Sequence, residues 1–158
     1  MFAKKSGFIA CILLIGIISA CNDKNVVIDT NHEIVKHNWS YVDKVKIPVT
    51  ISNTAKIYSI YLNLRHSGDY KYSNIFILVH QISPKGKVTT ERKEIKLANP
   101  DGEWLGKGSG NLYSYQILFQ KQIKFSDVGK YQFELEQNMR DNPLREVVDV
   151  GLRVEFAN

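Results

Sequence analysis

Val148-Asp149-Val150-Gly151-Leu152-Arg153-Val154-Glu155-Phe156 places an apolar residue at every second position and a polar residue or glycine between. A period of two puts all the apolar side chains on one face of an extended chain, the pattern of a strand with one face buried. Three other segments repeat it. Val45, Ile47, Val49 and Ile51 alternate with Lys44, Lys46, Pro48 and Thr50, and Tyr58, Ile60, Leu62 and Leu64 with Ser59, Tyr61, Asn63 and Arg65. Tyr131, Phe133 and Leu135 alternate with Gln132, Glu134 and Glu136. Pro48 lacks an N–H for the ladder, which assigns its segment to a sheet edge.

Between these lie Ile75-Phe76-Ile77-Leu78-Val79, apolar on both parities and suited to a central strand covered on both faces, and the alternating set Tyr113, Tyr115, Ile117 and Phe119. Val88 to Leu97 is a weaker, charged strand. Turn signals separate the segments at Ser67-Gly68-Asp69, Pro84-Lys85-Gly86, Asn99-Pro100-Asp101-Gly102 and Asp127-Val128-Gly129. No helical period follows the N-terminal segment. The expected fold is all-β, a two-layer antiparallel β-sandwich of jelly-roll or immunoglobulin-like topology, preceded by a cleaved signal helix. At 158 residues, with 44% hydrophobic and 23% charged residues, the chain has the size and composition of one folded domain.

The first twenty residues read as an address. Lys4 and Lys5 precede an apolar run from Gly7 to Ile18, too short for a spanning helix of about 20 residues. Ile18-Ser19-Ala20-Cys21 then has the form of a bacterial lipobox. On this reading Cys21 receives a thioether-linked diacylglycerol and an acyl chain on its freed amine. Two or more chains anchor a protein stably where one does not. Cys11 leaves with the signal peptide, so Cys21 is the sole mature cysteine, without an internal disulfide partner. The domain plan is a lipoprotein signal peptide over 1–20, a lipidated tether over 21–37 that can end in a first edge strand, and the sandwich over 38–158. Removing Lys4 and Lys5 lowers the net charge from +5 to +3, too little to indicate nucleic-acid binding.

Residue chemistry supplies no reaction. His32, His37, His66 and His80 lack the spacing that brings two imidazoles onto one metal, and no Gly-x-Ser-x-Gly or Ser-x-x-Lys motif occurs. Gly106-Lys107-Gly108-Ser109-Gly110 is not a phosphate loop, because Asp101 stands where the Walker spacing needs glycine and Gly108 follows the lysine. It is expected to form a flexible or left-handed connection, with Trp104 packed down as a plug. Arg65, Arg140 and Arg153 need carboxylates, available at Glu134, Glu136, Asp149 and Glu155, or else a docked protein. Tyr70, Tyr72 and Trp104 suggest a second reading, a stacking platform of a surface glycan-binding lipoprotein.

Five ordered motifs carry a resemblance. Leu62-Asn63-Leu64-Arg65-His66, Tyr70-Lys71-Tyr72-Ser73-Asn74, Gly102 to Gly110 around Trp104, Gln137-Asn138-Met139-Arg140 and the closing Asp149 to Glu155 together resemble the GldH family of gliding-motility lipoproteins of the Bacteroidota. Lys71 stands where that family usually has proline. The resemblance implies a non-enzymatic lipoprotein without cofactor or metal, anchored in the cell envelope, in the outer membrane rather than the inner. Its implied partners are the membrane, through the lipid, and other envelope proteins of the gliding or type IX secretion machinery. The residues it singles out are Arg65, His66, Tyr70, Tyr72, Asn74, Trp104, Gly106, Lys107, Gly108, Arg140 and Arg153.

Overall fold

The computed structural model describes residues 25–157. The expected signal segment and the lipid site Cys21 lie outside these residues. Eleven strands follow in order: β1 Val26–Glu33, β2 Asn38–Trp39, β3 Val45–Ile51, β4 Tyr58–Ser67, β5 Asn74–Ile82, β6 Val88–Lys96, β7 Lys107–Ser109, β8 Leu112–Ile123, β9 Gly129–Gln137, β10 Leu144–Arg145 and β11 Val147–Phe156. The one helical element among them is a single 3₁₀ turn, Val35–His37.

Two antiparallel sheets, ordered β1-β11-β4-β8-β7 and β3-β9-β5-β6, make the layers, and β2 and β10 form a small separate ribbon. The core lies between the sheets. Ile60, Leu62 and Leu64 of β4 and Val150, Leu152 and Val154 of β11 face Ile47 and Val49 of β3, Ile75 and Ile77 of β5, and Phe133 and Leu135 of β9, all buried. The alternating segments therefore put their apolar parity where the period predicts.

Strand order decides the topology left open by the sequence. The first strand of an immunoglobulin sheet pairs with the second. Here β1 pairs with the last strand, β3 with β9, β4 with β8, and β5 with β6. These nested pairs are one long antiparallel ribbon, doubled at the β5–β6 turn and wound into two layers, which is a jelly roll.

Three details depart from expectation. The segment read as a tether that can end in an edge strand is mostly strand: β1 pairs along β11 from Val26 to Glu33 at the sheet edge, so the strand fills most of its described part rather than only its end. β5 is interior to its sheet, but only Ile75, Ile77 and Val79 are fully buried. Among the described residues no second layer covers its outer parity. Phe76 is capped instead by the Arg92 guanidinium, 3.7 Å from the ring centre. The glycine-rich stretch is extended rather than left-handed over Lys107–Ser109, since its amides pair with β8, and only Gly110, at φ 59°, turns through the left-handed region.

Candidate functional site

Period two sends the adjacent residues Arg65 and His66 of β4 to opposite faces. His66 points inward and is completely buried. Its ring lies 4.5 Å from Trp104, 5.1 Å from Tyr70, 5.3 Å from Tyr115 and 5.8 Å from Tyr113, centre to centre. Trp104 reaches it through a short hairpin in which Asn99 N–H donates to the Glu103 carbonyl and Gly102 turns at φ 92°. Trp104 thus forms the expected plug.

Burial pushes the His66 pKa down, against the opposing effect of the Ser67 carbonyl. That carbonyl is 2.7 Å from Nδ1, and because it can only accept, Nδ1 carries the hydrogen of the neutral ring. The Tyr115 hydroxyl then lies between two acceptors, His66 Nε2 at 3.1 Å and the Leu97 carbonyl at 2.8 Å, with one proton for both. Gly106 makes this packing possible: a Cβ there would come within 2.6 Å of the Tyr115 ring.

Arg65 points outward, onto a polar face built in cross-strand rows. One row runs Glu33, Asp149, Arg65, Ser114, Lys107, and the next Asn31, Gly151, Asn63, Gln116. Arg65 pairs with the buried Asp149 carboxylate. Asn63 donates to Asp29 at 2.8 Å and accepts from Gln116 at 3.1 Å, and Arg153 bridges Asp29 at 3.0 Å and Glu155 at 2.7 Å. Asp29, Asn31, Asn63, Arg65, Gln116 and Asp149 help to floor a groove of about 550 Å³. Arg65 and Arg153 thus find the carboxylates that desolvation demands.

Tyr72 donates to Asp141 at 2.6 Å, joining the β4–β5 loop to the segment after β9. Together with Lys71, Arg140, Arg145 and Glu146 they line a second hollow of about 540 Å³. Asn74 lies at the same end, donating to Glu94 at 2.8 Å across the β5–β6 pair. Tyr70 is buried, its phenol pKa pushed well up by desolvation, and its ring meets that of Tyr72 at 72°. Tyr70, Tyr72 and Trp104 therefore do not form the exposed stacking platform suggested by the sequence.

Strand directions collect most of these residues at one end. β4 and β8 bring Ser67 and Leu112 to the pole where β11 begins, and the loops 68–73, 97–106 and 138–146 close it. His66, Tyr70, Tyr72, Asn74, Trp104, Gly106, Lys107, Gly108 and Arg140 all lie at or beside this pole. Arg65 borders it on the outer face, whereas Arg153 sits toward the far end of β11. The sequence reading missed the β1–β3 connection at the same pole. There Val35 is 78% and Val42 71% exposed, Tyr41 is exposed beside them, and its N–H donates to the Asn142 side chain at 3.1 Å. Large apolar residues outside any alternating segment were the available signal.

The profile of the GldH lipoproteins matches residues 26–154, from the first strand almost to the end of the last. The chain belongs to the GldH lipoprotein family. It is 33% identical to the gliding motility lipoprotein GldH homolog of Christiangramia forsetii, over 98% of this chain and 99% of that one. It is 28% identical to the gliding motility lipoprotein GldH of Flavobacterium johnsoniae, over 98% of each. Membership makes this chain a lipid-anchored lipoprotein of the cell envelope, in a family not known for enzymes. Among the described residues no helix is long and apolar enough to cross a membrane.

Proposed function

We propose that this GldH-family lipoprotein is a non-catalytic docking component of a gliding-type machinery. Cys21 carries the lipids, in the outer membrane, and the jelly roll presents one pole to an envelope protein of the gliding or type IX secretion apparatus. The observation that carries this reading is convergence. Most residues singled out by the family motifs, Arg153 apart, and the exposed Val35, Tyr41 and Val42 meet at the pole where β11 begins, while the N-terminal connection leaves beside the end of β11, where Phe156 N–H donates to the Asn25 carbonyl at 2.8 Å. Ten residues of strand at about 3.4 Å each hold the two poles roughly 30 Å apart. An anchor at one end and a contact surface at the other suit a tether, which raises local concentration so that a weak protein contact persists.

The surface has the make-up of a protein interface: exposed aliphatic and aromatic side chains, a nearby arginine, and balanced charge around them. The test pairs two kinds of variant in a host that depends on the protein. Cys21→Ser is expected to leave a folded domain that no longer fractionates with membranes and no longer supports function. Val42→Glu with Arg140→Glu is expected to stay anchored and folded, yet lose co-purification with gliding or type IX components. A double variant that keeps its partners would place the contact elsewhere.

A further inference from the structure

The pole beside the N-terminal connection has a composition of its own. It is made by the loops after β3, β5 and β8, and register and contacts hold them together. Ala157 N–H donates to the Ile57 carbonyl at 2.9 Å, the Tyr58 hydroxyl to the Asn53 carbonyl at 2.5 Å, and Tyr58 meets the rings of Phe125 at 5.1 Å and Phe156 at 5.3 Å. Lys85 bridges to Asp127 at 2.5 Å, joining the β5–β6 turn to the loop before β9. On this surface stand Lys56, Lys85, Lys87, Lys121, Lys124 and Lys130, all exposed, and over the same segments, 52–57, 83–87 and 121–130, the single acid is Asp127. The local surplus of +5 exceeds the +3 of the whole chain without Lys4 and Lys5. The opposite pole, over 34–44, 68–73, 97–111 and 138–146, has six acids and six bases. Among the lysines, Val88 and Val128 are 57% and 59% exposed.

We infer that this lysine-rich pole is a membrane-contact surface, which rests on the anionic phospholipid headgroups of the leaflet that holds the anchor. The inference depends on lipid attachment at Cys21. Cys21 precedes Asn25 by four residues, and four residues span at most about 14 Å. The pole is thereby confined to within about one and a half Debye lengths of the headgroups, a Debye length being about 8–10 Å, and its lysines can reach the range over which they feel a negative leaflet. Val88 and Val128 supply short apolar groups to enter the interface between the ammonium groups. Contact at this pole stands the jelly roll upright and aims the other pole, with Val42 and Arg140, away from the bilayer. The lipids fix where the domain is held, and the lysines fix how it is turned.

The test uses the full-length, processed and lipidated protein in vesicles that carry a nitroxide-headgroup quencher. A fluorophore is placed on Val128→Cys or, at the far pole, on Val42→Cys, while the Cys21 sulfur is blocked by its lipid. In vesicles containing phosphatidylglycerol the Val128 site is expected to be quenched strongly and the Val42 site weakly. In phosphatidylcholine alone, or in about 1 M salt where the Debye length shrinks to about 3 Å, quenching at Val128 should fall several-fold although the protein still floats with the vesicles. Changing Lys87, Lys124 and Lys130 together to Gln should do the same without detaching it. Should that triple variant misfold, the lipid and salt comparisons still decide. Flotation with equal quenching at both poles, or with Val128 quenching indifferent to lipid charge, overturns the contact surface while leaving the anchor standing. Failure to float on either vesicle overturns lipid attachment, and the surface with it.

Discussion

His66 is a titratable ring enclosed by aromatic side chains, and its charge state is set by what surrounds it. The faces of Tyr70, Trp104, Tyr113 and Tyr115 bring no carboxylate to offset a positive imidazole. Its folded pKa lies below the unfolded value of about 6.5 because burial disfavours the cation. The unfolded chain therefore binds more protons across that interval. Stability is full above about pH 6.5 and declines as pH falls toward the depressed folded value. The carboxylates act lower. Glu136, where the pull of His80 and Lys44 outweighs desolvation, and Asp141, held down first by the Tyr72 hydroxyl, have depressed folded pKa values and contribute above about pH 4. Urea unfolding should thus show a loss that sets in as pH falls below about 6.5 and that His66→Phe removes. An unchanged slope in that variant would assign the loss to another group.

Two glycines mark places where backbone and side chain approach too closely for any Cβ. At Gly151 a Cβ would lie 2.0 Å from the Thr30 carbonyl oxygen, in backbone that can yield only if β1 shifts on β11. Gly151→Ala is expected to cost about 3 kcal/mol or more in denaturant unfolding, at the upper end of overpacking effects. Gly106→Ala should cost less, because the Tyr115 side chain it meets can move. The sequence shows Gly151 as a break in an alternating strand. It does not show the reason, since Thr30 is 121 positions away and adjacent only once β1 has paired.

Elements were legible in proportion to their amphipathicity. β3, β4, β9 and β11 turn an apolar parity into the core and a polar one outward, so period two finds them even where, as on β4 and β11, the polar parity is itself partly buried, and Pro48 correctly marks β3 as an edge. β1 was harder because Asp29, Asn31 and Glu33 are polar and its place in the sheet comes from pairing along β11. β7 was hidden because its lysine, glycine and serine carry no strand pattern; the amides of β8 make it a strand. On β4 and β11 the Arg65–Asp149 pair shows how the outer parity is stabilised. Asp149 is buried, so Arg65→Met leaves an uncompensated carboxylate. A fully buried pair broken from one side costs about 3–5 kcal/mol. Arg65 is 43% exposed, so solvent screening reduces the expected loss to about 1–3 kcal/mol. Restoring stability by adding Asp149→Asn would verify that the unpaired charge, rather than lost packing, is responsible.

At the scale of the whole molecule, the nested ribbon sorts the residues that individual strands cannot. Neighbours in sequence such as Arg65 and His66 separate to different faces, whereas Tyr41 and Asn142 come together across 101 residues. The lipid-anchored class was readable from the lipobox and the family from the motif spacing, because both are local patterns. The jelly-roll order, the charge-balanced pole with its exposed Val35 and Val42, and the lysine-rich pole were not, because each is assembled from loops distant in the chain.

The central claim is that the pole opposite the anchor docks the partner. Its most direct test is site-specific photocrosslinking in the native envelope, with a crosslinking residue at Val42 or, at the anchor pole, at Lys130, followed by mass spectrometry of the adducts. The account predicts that Val42 captures an envelope protein of the gliding or type IX secretion machinery, that Arg140→Glu abolishes the adduct, and that Lys130 captures lipid. Capture of that machinery from Lys130 and not from Val42 would contradict it.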